Sequence, residues 1–569
     1  MFLYDTVIRS KAFFEKKCNL LICVGLISFC WTYLAIWVNP IVNTDGIVYL
    51  KSAEVFLSDG FQATMTIHDL PFYPILIAGL STLSSLSIIQ SAYLLNALLM
   101  AFTAVAVVKI VENYDQRLST LFLISALLLL HPELNSYRYA VLRDFGYWCF
   151  SCWALLFFIR AYDQKDLFTL LISSTLIMIA CLFRPEAAIF LLINAVFLVR
   201  WLNKQLSRGW LRWLMLLVSL IIAFGLGWLL IRYMHTRLDN LNVFYQNFSA
   251  VLAKFSDDIL RGSSEDLAPW SLLIAFFSLT LLKILKNFGI VYIIAALYLI
   301  SQRQRFKPQY RALISLSPLY LYGAAALMVL FIYVCLSQFL QGRFTILICL
   351  LGFIPLSLWL GAWVQQFKEI SDNKEIRDNE ETSDNKDIGS IKAIDKNTPP
   401  SLDKKQKKTI ANRKVVYIMI LVGLALFIDS FISFGSSKTY LMASANYLAE
   451  FDSQTTLLTN SKRIAYFSTL SYQWDQVQGQ NSFDKSLNQT LARRFDQQNN
   501  RYDLLAILHS RKDDELIKRI DQGIDDYQII KIFENEKRDR VVIFAHQKLI
   551  ELNNTIEPLQ RLNPESKNN

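Results

Sequence analysis

The chain has 569 residues, 54% of them hydrophobic and only 18% charged, with a formal net charge of +10. Soluble domains carry nearer about 25% charged residues, and apolar runs recur as far as residue 434. A soluble globular protein is therefore excluded, and a polytopic α-helical membrane protein is implied. The basic residues gather in short loops between apolar runs, so the positive charge reads as the positive-inside pattern and not as a nucleic-acid surface.

The first apolar run, 18–38, follows Arg9, Lys11, Lys16 and Lys17 and has no clear small-x-small cleavage site. It reads as an uncleaved span with a cytoplasmic N-terminus. Further spans are expected at 90–112, 118–132, 145–161, 166–183, 186–202, 211–232, 286–302, 313–336, 345–365 and 415–434, eleven in all. Two weaker stretches, 71–88 and 269–284, are read as helices lying at the outer interface. Arg200, Lys204, Arg208 and Arg212 mark one cytoplasmic loop, and Arg303, Arg305, Lys307 and Arg311 another. Loops 39–89, 133–144, 233–285 and 337–344, the junction 184–185 and the tail 435–569 then fall outside.

Residues 366–414 are polar, mixed in charge and self-echoing ("SDNKEI", "SDNKDI"), and are expected to form a disordered cytoplasmic loop. The tail alternates apolar runs ("TTLLTN", "RIAYFS", "YDLLAILHS", "YQIIKIF", "RVVIFAHQ") with polar helix-like stretches, the pattern of a small α/β domain. All eight cysteines lie in apolar runs, so no disulfide framework is implied, and Cys149-x-x-Cys152 reads as a pair of small packing residues.

The outside segments nearest the membrane hold an unusual set of polar residues. The first loop carries Asp45, Tyr49, Glu54, Asp59, His68 and Asp69, followed by the proline stretch around Tyr73. The second reads "HPELNSYRYAVLRDFGYW", with Arg138, Arg143 and Asp144; the junction "RPEAAIF" gives Arg184 and Glu186, and "QGRF" gives Arg343. Charge beside the hydrocarbon is costly unless paired or facing water, so a group on one face implies a shared polar cavity. Carboxylates can take a proton from a hydroxyl nucleophile, and arginines can hold a phosphate and offset its charge as it leaves. Singly, each has a plainer explanation: Asp45 as a helix cap, Asp144 and Glu186 as acids at helix starts, Asp59-Gly60 as a turn.

Asp45-Gly-x-x-Tyr49-x-x-x-Ala53, then Asp59-Gly60 and "LPFYPILIAG", resembles the first outer loop of the GT-C glycosyltransferases, closest to bacterial members of the protein O-mannosyltransferase and aminoarabinose transferase group. "HPELNSYRYAVLRDFGYW", "RPEAAIF" and "GRF" are similar to later loops of that family. The resemblance implies a multi-pass enzyme of a bacterial inner membrane with a periplasmic α/β tail. It would move a sugar from a polyprenyl-phosphate donor to a glycan, lipid or protein acceptor at the outer face, with inversion by single displacement. It carries the role of catalytic base onto Asp45 and of supporting acid onto Asp144. Donor-phosphate contacts fall to Arg138, Arg184 and Arg343, with Tyr49, His68, Asp69, Tyr73, Arg143 and Glu186 as further substrate contacts. Gly46 stands where many relatives have a second acid, so a divalent metal stays open but unsupported, and one carboxylate with one or two arginines suffices in principle without it. Aminoarabinose transfer to lipid A is not supported. A flippase for a lipid-linked sugar and a non-catalytic membrane scaffold are the competing readings.

Overall fold

The structure, a computed structural model, describes residues 17–205, 267–301, 317–337, 339–384, 438–471, 502–509 and 526–551, with a few isolated positions between. In chain order the helices are α1 (Lys17–Val38), α2 (Thr44–Ile67), α3 (Phe72–Ser84), α4 (Ile88–Tyr114), α5 (Leu118–Leu129), α6 (Pro132–Ser136) and α7 (Asp144–Gln164). They continue with α8 (Leu167–Phe183), α9 (Ala188–Gln205), α10 (Ala268–Phe288), α11 (Ile290–Ser301), α12 (Ser317–Ser337) and α13 (Gly342–Asp384). After these come α14 (Thr439–Leu448), β1 (Leu457–Thr459), α15 (Lys462–Phe467), β2 (Leu504–His509), β3 (Tyr527–Glu534) and β4 (Arg540–His546). Two compact units result: Met1–Val38 with Gln90–Ile432, and Asn39–Ile89 with Ser433–Asn569. The first outer loop thus clusters with the tail and not with the helices that flank it.

In the first unit, the described helices long and apolar enough to cross a membrane include Cys18–Val38, Asp144–Gln164, Ala268–Phe288, Ser317–Cys335 and Gly342–Gln365. Ile88–Tyr114, which begins at the unit boundary, is the sixth. Ala268–Phe288, which the sequence reading laid along the interface as 269–284, is by length and composition also able to cross. The helix is longer than the apolar stretch, and Lys283 and Lys286 stand near its C-terminal end, where long side chains reach polar surroundings. The expected span at 286–302 begins instead at Ile290, because Gly289 (φ 92°) ends α10. The expected spans 211–232 and 415–434 lie outside the described residues, two isolated positions apart. Helix α13 runs on to Asp384, so the start of the expected loop 366–414 is helical. That stretch is rich in Glu, Lys and Asp and has neither Gly nor Pro before Gly389, so nothing local stops the helix.

Helices α7 and α8 form a hairpin whose crossing is set by Gly146. A Cβ there would lie 2.2 Å from the Phe183 ring. Deeper in the bundle, Tyr322 Oη donates to Asn194 Oδ1 (3.1 Å), Asn194 Nδ2 to Ser173 Oγ (3.1 Å), and Ser173 Oγ to the Ala154 carbonyl (2.8 Å). That chain ties α12, α9, α8 and α7 together, the usual polar glue between apolar helices.

The second unit holds a four-stranded sheet of order β1-β2-β4-β3, with β1 parallel to β2 and the other pairs antiparallel. Alternate residues of β2 and β4 face opposite ways. Leu505, Ile507, Val542 and Phe544 pack with Tyr502 and Tyr527 on one side. Leu504, Ala506, Val541 and Ile543 pack with Leu441, Leu448 and Ile464 of α14 and α15 on the other. The run "RIAYFS", expected as a strand, is helix α15, capped by Ser461 Oγ, which accepts from the Ile464 amide (3.4 Å). Helix α3 has 13 residues, about 20 Å of rise, too short for a hydrocarbon core of about 30 Å. Helix α2 bends at Asp59-Gly60, where Gly60 takes φ 82°.

Candidate functional site

The second outer loop of the sequence is held rigidly before it delivers Asp144. His131 caps α6, its Nδ1 accepting from the Leu134 amide (3.0 Å). The proton therefore sits on Nε2, which donates to the Asn287 carbonyl (2.9 Å). Burial lowers the His131 pKa to about 4, against the pull of the Asn287 and Phe288 carbonyls, so the ring stays neutral. Asn135 Nδ2 donates to the Leu129 carbonyl (2.9 Å), and Asn96 Nδ2 to the Ala140 carbonyl (3.1 Å). Arg138 is 1% exposed. It donates to Asn135 Oδ1 (2.7 Å), the Ser28 carbonyl (2.8 Å), Ser28 Oγ (3.1 Å) and Thr32 Oγ1 (3.0 Å). This guanidinium, expected at the donor phosphate, is spent on anchoring the loop to α1.

Asp144 opens α7 directly after this loop. Arg184 ends α8; the proline after it disfavours helical backbone, and Arg184 is extended at φ −145° and ψ 113°. With Gly146 against Phe183, the two side chains meet. Arg184 Nη1 lies 2.5 Å from Asp144 Oδ1, and Nη2 lies 3.2 Å from Glu186 Oε1. The guanidinium also lies over the Phe344 ring at 4.3 Å and the Tyr147 ring at 5.5 Å. Burial alone would raise the Glu186 carboxyl, but the Arg184 charge outweighs it and holds the pKa down at about 2. Arg343 Nε stands 4.0 Å from Asp144 Oδ2. Tyr137 donates to Glu133 Oε1 (3.0 Å). A Cβ on Gly342 would sit 2.4 Å from that same oxygen, so glycine is what lets the Gly-Arg-Phe segment pass this close.

Glu133, Asp144, Glu186, Arg143, Arg184 and Arg343 thus form one charged cluster of three acids and three arginines within the first unit. Two of its members, Arg184 and Glu186, line a cleft between α7, the α8–α9 junction, α12 and α13. The cleft is lined by Tyr147, Arg184, Glu186, Tyr333 and Phe344 and walled by Leu330, Leu347 and Ile348. The Arg143 charge acts on Glu186, and Arg143 Nη1 is buried with no hydrogen-bond partner among the described residues. A buried unmet donor on a cation is expensive, and it is the kind of group an anionic ligand satisfies.

The second unit places the first-loop residues. Asn43 is the N-cap of α2, so Asp45 lies in the first turn and is not the cap residue. Tyr49 packs edge-on against both Tyr73 (5.1 Å between centroids) and His68 (5.2 Å). Tyr49 and Tyr73 are buried, whereas Asp69 is exposed just beyond α2. From the tail, Arg463 Nε donates to the Val42 carbonyl (2.7 Å) and Tyr466 Oη to Glu54 Oε1 (2.5 Å). Lys462 is half-buried and interacts electrostatically with Asp45. Among the described residues, no three His, Cys, Asp or Glu side chains gather closely enough to hold a metal ion.

No family model matches the sequence, and a comparison with curated proteins finds no match. Among solved structures, the chain is similar to ArnT from Cupriavidus metallidurans bound to undecaprenyl phosphate. The two share 12% identity at a TM-score of 0.47, over 92% of this chain and 97% of that one. At that distance the likeness assigns no role to any residue.

Of the residues singled out from sequence, the cluster gathers Arg143, Asp144, Arg184, Glu186 and Arg343, while Arg138 is turned into the protein beside α1. Sequence reasoning passed over Tyr137 as a cluster member and Lys462, Arg463 and Tyr466 as neighbours of the first loop. The motif "GRF" pointed to Gly342, whose close approach to Glu133 shows only in three dimensions. Nothing local marks α15, more than 400 positions from α2, as its neighbour.

Proposed function

We propose that the protein is an integral membrane glycosyltransferase that moves a sugar from a polyprenyl-phosphate-linked donor to an acceptor at the outer face of the membrane. The observation that carries this reading is an apolar-walled cleft lined by Arg184 and Glu186, with Arg143, whose buried Nη1 has no hydrogen-bond partner among the described residues, acting on Glu186. A phosphate satisfies that donor, and a polyprenyl chain suits the apolar wall. Arg184 is already neutralised by Asp144 and Glu186, so phosphate binding falls mainly to Arg143, with Arg343, itself 4.0 Å from Asp144, as a second contact. Asp144 then positions the arginines.

Asp45 serves as the base. An acceptor hydroxyl attacks the anomeric carbon and its proton passes to Asp45. The bond from that carbon to the phosphate oxygen breaks, and its electron pair leaves with the lipid phosphate. Arginine stabilises the added charge, so the chemistry requires no metal.

The test is transfer of labelled sugar from polyprenyl-phosphate donors, in membranes holding equal amounts of wild type and Asp45→Asn. Wild type is expected to transfer and the variant to lose at least about a hundredfold, roughly 3 kcal/mol of barrier. Equal transfer by both removes Asp45 from the mechanism. Silence with every donor, together with flipping of the lipid-linked sugar, favours the flippase reading.

A further inference from the structure

Helix α10 ends between two segments that carry the charged cluster, and one residue of its last turn binds both. The last carbonyls of a helix find no partner within it. That of Asn287, just before Gly289 stops α10, accepts from His131 Nε2 (2.9 Å), and His131 Nδ1 caps α6. The His131 ring also lies edge-on to Phe353 of α13, 4.9 Å between centroids. Helix α6 carries Glu133, and the chain runs on from it through Tyr137 to Arg143 and Asp144.

The Asn287 side chain reaches the other way. Its Nδ2 donates to the Gly342 carbonyl (3.0 Å) and to Thr345 Oγ1 (2.7 Å), and Thr345 Oγ1 donates to the same carbonyl (2.8 Å). An amide nitrogen has two hydrogens, and both are used here. Asn287, Gly342 and Thr345 are all buried. A Cβ on Gly342 would lie 2.4 Å from Glu133 Oε1, 2.6 Å from Tyr137 Oη and 3.0 Å from Asn287 Nδ2. The first turn of α13 is thus pressed between α6 and the end of α10, with no slack for its backbone. Arg343 is the next residue, and its Nε stands 4.0 Å from Asp144 Oδ2. The place of that guanidinium follows from the place of the Gly342 backbone, which Asn287 holds.

We propose that Asn287 is a positioning residue for the lipid-phosphate donor: it clamps the start of α13 to the α6 loop and so sets Arg343 beside Asp144, where the guanidinium meets the phosphate. The inference rests on the reading of Arg343 as a phosphate contact. One uncharged side chain then keeps in register the two segments that deliver Asp144 and Arg343.

The experiment measures binding of a polyprenyl phosphate and of the matching uncharged polyprenol to the purified full-length protein in detergent. It compares wild type, Asn287→Leu, Thr345→Val, Thr345→Ser, Arg343→Met and the Arg343→Met/Asn287→Leu double variant. Wild type is expected to bind the phosphate at least about tenfold tighter than the alcohol, because charge-assisted hydrogen bonds act on the phosphate alone. Asn287→Leu is expected to weaken the phosphate about tenfold and the alcohol by no more than about twofold, the scale of one or two lost hydrogen bonds. Thr345→Val should weaken the phosphate less, and Thr345→Ser, which keeps the hydroxyl, should match wild type. A clamp that acts through Arg343 gives a double variant no weaker than Arg343→Met alone, since coupled residues are not additive. Thr345→Val changes a hydroxyl to a methyl of similar size, so it decides the matter if Asn287→Leu does not fold. Three results overturn the proposal: undiminished phosphate preference in the Asn287→Leu and Thr345→Val variants, equal weakening of phosphate and alcohol, or a full Asn287→Leu effect on the Arg343→Met background. Any of these, with wild type still preferring the phosphate, removes this inference alone. A wild type that does not distinguish phosphate from alcohol removes the donor reading as well.

Discussion

Arg143 and Arg138 differ by five positions and by everything that matters for binding. Arg138 fills its donors with Asn135, Ser28 and Thr32 oxygens, whereas Arg143 keeps a buried Nη1 unmet. Replacing Arg143 by Met is expected to raise the donor KM at least tenfold, about 1.4 kcal/mol, and Lys to restore part of the loss; steady-state transfer against donor concentration measures it. Arg138→Met is expected instead to lower thermal stability, because it leaves the α1 oxygens without their donor. Glu186 carries a pH prediction. Its folded-state pKa is depressed, so its pairing with Arg184 contributes stability fully above the ordinary carboxylate value near 4.5, and loses it as pH falls toward about 2. Wild type should therefore unfold at higher temperature than Glu186→Gln at pH 6, with the gap narrowing below pH 4.5. Melting curves of the purified protein in detergent from pH 3 to pH 7 test the window. A gap that stays constant across it removes the pair as the cause.

At the scale of elements, the α7–α8 hairpin joins sequence to site. Gly146 permits the close crossing, and the pre-proline geometry of Arg184 turns its side chain out of the helix toward Asp144. Gly146→Ala should cost about 1–3 kcal/mol by overpacking and weaken donor binding along with it. Gly79→Ala in α3, where a Cβ would meet nothing within 4 Å, should be neutral or slightly stabilising. Comparison of the two melting temperatures separates a crowded crossing from a general effect of the methyl group. Most of these helices were legible in the sequence because a long apolar run has few other options. The errors have local causes. "RIAYFS" is a short apolar run whose periodicity does not separate strand from helix, and a serine cap and a neighbouring helix to pack on decide for helix; the polar stretch after residue 365 has no residue that ends a helix before 384. The gathering of Asp144, Arg184 and Arg343 was anticipated only as charges on one face; which arginine pairs and which anchors depends on side-chain contacts that spacing does not encode.

At the scale of the molecule, the first loop and the tail belong to one compact unit although the chain leaves it at Ile89 and returns at Ser433. No periodicity reveals that partnership, since the contacts between α2 and α15 span about 420 positions. Arg463→Ala should raise hydrogen exchange over residues 42–54 several-fold while leaving α7 and α8 unchanged, as read by peptide-resolved exchange in detergent. Exchange that rises uniformly instead would point to general destabilisation.

The split unit also imposes an order on biosynthesis. Synthesis runs at about 5–20 residues per second, so the 344 positions from Ile89 to Ser433 (433 − 89) keep the first loop waiting roughly 17–70 seconds for the surface it packs on. During that interval the first loop is a natural client for whatever shields unpartnered segments. A ribosome that stops before Ser433 leaves a first loop without the segment it packs on, so closure of this unit reports that synthesis has passed the helices in between.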